Sequence, residues 1–239
     1  DYHFEVLFKL VQRLGRSYAS NMYQLSYGMV DLPTGKMKSR EGTVVDADQL
    51  IEEMVDMASK HTQELGKVDN FTEEAAHQLF HMLAMGALKY FLLRVEARKR
   101  ILFDPQASID FQGHTGPYVQ YTHARIAAIL RKAQAAEIAY KEGVLDESLP
   151  LQPAEREVIM QLYKFPKKLQ EAADAYSPSI IAQYVLEFAK AYNRMYGEVS
   201  ILHEKEEALR TLRLSLSATV ARIIQKNMQL LGIAVPVQM

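Results

Sequence analysis

The stretch "LPTGKMKSREGT", Leu32–Thr43, decides how this chain is organised. A Pro-Thr-Gly turn runs into Lys36, Lys38 and Arg40, which alternate with Met37 and Ser39, and Gly42 closes the segment. Glycine lacks a Cβ and reaches positive φ, so Gly35 and Gly42 frame a loop that changes shape at small cost. If extended, the loop projects all three cations to one side, a pattern that suits a polyphosphate. A solvated basic turn is the plain alternative for these residues taken alone.

Working outward, Tyr23, Leu25, Tyr27 and Met29 alternate with Gln24, Ser26 and Gly28, which predicts a strand entering the turn. Beyond the loop, Thr43-Val44-Val45 is extended, and Asp46 with Gln49 forms a capping-box-like start for a helix to about Leu65. A phosphate-binding Walker A loop does not fit. Gly28 to Gly35 has the wrong spacing, and Lys36 is followed by Met37 rather than Ser or Thr.

The remaining periodicity is helical. Phe4, Leu7, Phe8, Val11 and Leu14 predict a helix stopped by Gly15, and Thr72 starts another reaching about Leu102, bent near Gly86. Phe103–Gly116 is irregular and is the expected domain boundary. Pro117 opens a helix with Gly143 as its stop. A linker at Leu149–Pro153 precedes helices at about 154–164 and 166–175, separated at Phe165-Pro166. Further helices are predicted from Ser177-Pro178 and over about Glu204–Leu231, with Gly232 as cap. The second half reads as an all-helical bundle.

With 49% hydrophobic residues the chain can bury a substantial core, which argues against disorder. It has no cysteine, so neither disulfides nor thiolate metal sites are available, in keeping with a reducing compartment. No apolar run approaches the ~20 residues of a membrane span, and no signal peptide is visible. The net charge of −1 argues against non-specific coating of nucleic acid. Cations are nevertheless clustered. Ala208–Met239 holds Arg210, Arg213, Arg222 and Lys226 without an acid; Lys89–Arg100 holds five cations against Glu96; Gln112–Gln134 is acid-free with Arg125, Arg131 and Lys132. Such local faces suit selective phosphate contacts, although solvated helix surfaces carry similar clusters.

"DFQGHTGPYVQYTHARI", Asp110–Ile126, is the second stretch with chemistry in it. On a helix from Pro117, Tyr118, Tyr121, Arg125 and Lys132 share one face. Two tyrosines a turn apart, followed by cations, make a platform for unpaired bases with phosphate clamps. Half-buried core tyrosines with satisfied hydroxyls are the alternative. His77 and His81 stand four apart with Glu73 a turn earlier, but Gln-Leu-Phe lies between and no third ligand is evident, so no metal site is expected.

Strand, cationic loop and helix together resemble the KMSKS element of class I aminoacyl-tRNA synthetases. "LSYGMVDLPTGKMKSREGTVVDADQLIEE" (25–53) is similar to its arginyl-tRNA synthetase form. Asp110–Ile126, with "GALKYFLLR" (Gly86–Arg94) and "LLGIAVPVQM" (230–239), resembles the DALR-type anticodon-binding region of the same family. The resemblance implies a mainly α chain. Residues 1–105 would be the tail of a Rossmann-type α/β catalytic domain, and residues 106–239 a helical anticodon-binding bundle. It implies an ATP-binding loop of Gly35, Lys36, Met37, Lys38, Ser39 and Arg40. Lys36 would be catalytic, with Lys38 or Arg40 substituting for the second motif lysine, whose place Ser39 takes. It implies tRNA contacts from the Ile109–His114 loop, including Gln112 and His114, and from Tyr118, Tyr121, Arg125, Tyr196 and Met239.

The expected activity is ATP-dependent joining of arginine to tRNA, with Mg²⁺ accompanying ATP, in a cytoplasmic monomer. The family's His-x-Gly-His signature is missing, so the chain reads as the C-terminal piece of a longer enzyme and as inactive alone. Two other readings stand beside this one: a helical RNA-binding or interaction module without chemistry, and a sister class I synthetase sharing the DALR bundle.

Overall fold

A computed structural model describes residues 1–33, 46–64, 71–140 and 148–239. The cationic loop Gly35–Arg40 lies outside the described residues. Among them the chain is mainly α. Its helices are α1 (Tyr2–Arg13), α2 (Ala47–Glu64), α3 (Glu73–Leu93), α4 (Pro105–Ile109), α5 (Gly116–Ala135), α6 (Pro153–Asp174), α7 (Pro178–Glu198) and α8 (Glu207–Leu230). A parallel pair of two-residue strands, β1 (Val30–Asp31) and β2 (Ile101–Leu102), joins the first third of the chain to the segment after α3.

The helix starts follow local chemistry. Thr72, Asp104 and Thr115 each accept a backbone N–H three residues ahead, at 3.3, 3.1 and 3.2 Å, which satisfies one of the orphan donors of α3, α4 and α5. Gly15 and Gly232 adopt φ of +66° and +68° just past α1 and α8, where a left-handed residue closes the last turn.

Beside α5 ending at Ala135, short of the expected Gly143 stop, three further expectations are corrected. The Tyr23–Met29 alternation does not make a strand. Tyr23, Leu25, Tyr27 and Met29 are exposed, and among the described residues strand pairing covers only Val30–Asp31, against Ile101–Leu102. What the segment does instead is dock by its backbone. Gly28 N–H donates to the Ala97 carbonyl at 2.7 Å, and a Cβ on Gly28 would overlap the Lys99 carbonyl. Second, α3 ends at Leu93 rather than Leu102, and the chain turns through Arg94–Arg100 into β2. Third, Pro166 sits inside a continuous α6. Proline removes one ladder bond and usually breaks a helix. Around it α6 packs on α7, where Tyr184 donates to the Gln161 carbonyl at 2.9 Å and stacks on Phe165, so tertiary contacts hold the helix on through the proline.

Two apolar clusters result. The smaller gathers Met54 and Ala58 of α2, Leu79, Phe80, Leu83 and Phe91 of α3, and Phe103, Ile109 and Phe111. The larger is built on α7, whose Ile181, Val185, Phe188, Tyr192 and Met195 meet α5, α6 and α8. Burying a side chain such as Phe188 contributes roughly 2–3 kcal/mol. α3 serves both clusters: Tyr90 turns into the larger one and donates to the Ala182 carbonyl at 2.8 Å. Among the described residues no helix is long and apolar enough to cross a membrane.

Candidate nucleic-acid interface

The cleft of interest lies between α5, the C-terminal end of α7 and the chain terminus. It encloses about 450 Å³ and is lined by Tyr121, Arg125, Arg131, Lys132, Tyr196, the Val199–His203 segment and Met239. Thr115 caps α5 and so sets the register that aims Tyr121, Arg125 and Lys132 at it. Arg125 occupies its centre. The guanidinium carbon lies 4.7 Å from the Tyr121 ring centroid and 5.0 Å from that of Tyr196. Its Nη1 donates to Asn193 Oδ1 at 2.8 Å. Asn193 Nδ2 in turn donates to Thr122 Oγ1 at 2.8 Å, which donates to the Tyr118 carbonyl at 2.9 Å. This relay fixes the Asn193 amide and holds the guanidinium plane between two rings.

A buried charge network sets one wall. Arg213 on α8, 5% exposed, donates through Nε to the fully buried Glu155 at 2.6 Å. Through Nη1 it also donates to Glu204 at 2.6 Å and to the Ser200 carbonyl at 2.7 Å. Glu155 itself accepts the Gln152 N–H at the start of α6, at 2.7 Å. Glu204 accepts the Glu206 amide, and that bond first, then Arg213, hold its carboxyl below the ordinary value. The Ser200–Glu204 segment is thereby tied to two helices.

The tail after Gly232 brings Met239 to the cleft. Ile233 is buried in the larger cluster. Four tail carbonyls then accept side-chain donors: Gly232 from Lys89 at 2.7 Å, Ala234 from Gln120 at 2.8 Å, Pro236 from His123 Nδ1 at 2.8 Å, and Val237 from Arg131. A carbonyl only accepts, so neutral His123 carries its proton on Nδ1. Burial lowers the His123 pKa from its ordinary value. Met239 ends this run against the smaller cluster, at the cleft.

Four of the seven tRNA-contact residues expected from sequence therefore converge: Tyr121, Arg125, Tyr196 and Met239. The other three do not line the cleft. Tyr118 is half-buried against the larger cluster. Gln112 and His114 lie exposed on the loop before α5, where Arg94 donates to the His114 carbonyl at 2.7 Å and Lys190 to His114 Nε2 at 3.0 Å. Asn193 and the Val199–His203 wall were not among the expected residues, and no sequence motif marks them. His77 and His81 are both exposed on α3, and among the described residues no group of three or more His, Asp or Glu is arranged to hold a metal ion.

The chain belongs to the DALR anticodon-binding domain family, whose model matches residues 119–239. Over its full length it is 66% identical to an arginine–tRNA ligase of Amoebophilus asiaticus and 48% identical to one of Bacteroides thetaiotaomicron. It spans about 40% of the length of each of these curated relatives. Among solved structures it resembles the Thermus thermophilus arginyl-tRNA synthetase, with a TM-score of 0.80 at 32% identity over 92% of this chain and 36% of that one.

Proposed function

We propose that this chain is the anticodon-reading portion of an arginine–tRNA ligase, with residues 106–239 as the RNA-binding bundle and residues 1–105 belonging to the catalytic half. The observation that carries the reading is the convergence of Tyr121, Arg125, Tyr196 and Met239 on one cleft of about 450 Å³. Aromatic faces accept any base, a guanidinium plane between two rings adds a third flat surface, and Arg131 and Lys132 on the rim attract phosphate. Gln112 and His114 would meet the RNA beside the cleft, while Tyr118 supports α5 from the core side.

In the catalytic half, Lys36, with Lys38 or Arg40, would neutralise charge developing on the triphosphate of ATP, which enters with Mg²⁺ as substrate. Gly35, Met37 and Ser39 would belong to the same ATP-binding loop. Arginine and the arginine-accepting tRNA are the other substrates. The enzyme acts in the cytoplasm as a monomer, and this chain by itself neither activates arginine nor charges tRNA.

The test of RNA reading compares an arginine-tRNA anticodon stem-loop with the same stem bearing an abasic loop, which keeps every phosphate. The intact loop binds at least tenfold more tightly if bases occupy the cleft. Equal binding returns the site to a general phosphate surface.

A further inference from the structure

Gln120 is fully buried in the second turn of α5, away from the cleft lining. Its Nε2 donates to two carbonyls at once, Met82 of α3 at 3.0 Å and Ala234 of the tail at 2.8 Å. Only the amide nitrogen can face two carbonyls, so the orientation of this amide is fixed. Its Oε1 is buried without a hydrogen-bond partner and rests against Gly86, where a Cβ would overlap the whole amide group. Burying an amide is costly, so one kept here is held by the two bonds its nitrogen donates. What the arrangement secures is the register of the tail. Ala234 is fixed to α3 through a single side chain, and His123 and Arg131 repeat the same contact at Pro236 and Val237.

We propose that Gln120 is a positioning residue for RNA recognition. It ties the tail to α3, and the tail in turn places Met239 in the cleft. Gly86 belongs to the same device, because only glycine leaves room for the Gln120 amide between α3 and the tail. The inference rests on the anticodon reading above, but it concerns residues that touch no RNA.

The test is a double-mutant cycle in the protein, using Gln120→Met, which keeps volume and removes the donor, and deletion of Met239. Affinity is read on the anticodon stem-loop, and the order of the Met239 methyl is read by NMR without RNA. Gln120→Met is expected to free the Met239 methyl and weaken binding about tenfold, the scale of one lost base-face contact. Deleting Met239 from that variant should then change affinity less than twofold. Gly86→Ala, which displaces the same amide, should reproduce the loss, and His123→Gln serves as the milder variant if either fails to fold. An ordered Met239 methyl in Gln120→Met, or penalties that multiply, overturns the proposal. If deletion of Met239 and Tyr121→Ala both leave affinity unchanged, it is the anticodon reading that fails.

Discussion

The Arg125 guanidinium carbon, on α5, lies 5.0 Å from the ring centroid of Tyr196, on α7. The contact joins two helices through a cation that also faces Tyr121 and is hydrogen-bonded to Asn193. A guanidinium so engaged works as a flat surface more than as a counterion for phosphate. Arg125→Ala should therefore weaken binding of the anticodon stem-loop while changing the salt slope by well under one unit. Loss of a phosphate contact would change that slope by about one unit. A salt series from low to physiological ionic strength distinguishes the two. Arg131→Ala or Lys132→Ala, at the exposed rim, should show the larger slope change.

Asn193 carries the next prediction. It donates to Thr122 and accepts from Arg125, so Asn193→Leu leaves the guanidinium without its anchor. RNA affinity should fall by ~1 kcal/mol, the typical worth of one such bond, and Asn193→Asp should recover most of it by pairing with Arg125. Equal losses for both substitutions would assign Asn193 to packing alone.

Glu155 and Arg213 give a stability prediction. Removing one partner of a buried ion pair leaves the other charge uncompensated, at a cost of about 3–5 kcal/mol. Glu155→Ala should fall toward the lower end, because Arg213 keeps Glu204 and the Ser200 carbonyl. Urea unfolding measures it. A loss below ~1 kcal/mol would mean that the network is not holding the cleft wall.

His123 makes the protein acid-sensitive in a defined direction. Burial lowers its folded-state pKa below the ordinary imidazole value of 6.5. In the window between those two values the unfolded chain binds more protons, so stability rises with pH and is lost as pH falls from about 6.5. The loss levels off once the folded-state pKa is passed. Thermal melts of wild type and His123→Gln across that window should converge on acidification. Parallel curves would show that His123 does not titrate out of a buried site.

Much of this was legible in the sequence because it is local. Thr115 and Gly116-Pro117 announce the start of α5, and the i, i+4 relation of Tyr121 and Arg125 puts them on one face before any fold is known. Tyr196 and Met239 could be placed beside them only through family resemblance, since nothing near them in the chain signals their partners. Asn193, Glu155 and Arg213 were not legible. Their roles depend on helices that meet across 58 to 71 residues of sequence. The strand expected at Tyr23–Met29 misled for a related reason. Alternation records two different faces, not whether a neighbouring strand exists to pair with them. Pro166 misled because the helix around it packs along α7, through Phe165 and Tyr184 among others, and that packing is invisible in the local sequence.

The central claim, that the cleft stacks unpaired bases, is tested most directly by Tyr121→Ala. Affinity for an arginine-tRNA anticodon stem-loop is titrated beside a melting curve, with Tyr118→Ala as the comparison. Tyr121 lines the cleft while also resting on the smaller cluster, and Tyr118 packs against the larger cluster away from the cleft. The account predicts that Tyr121→Ala weakens RNA binding by ~1–3 kcal/mol, beyond any change in melting temperature. Tyr118→Ala should instead lower the melting temperature by several degrees. Unchanged affinity in Tyr121→Ala, with a lowered melting temperature, would contradict it.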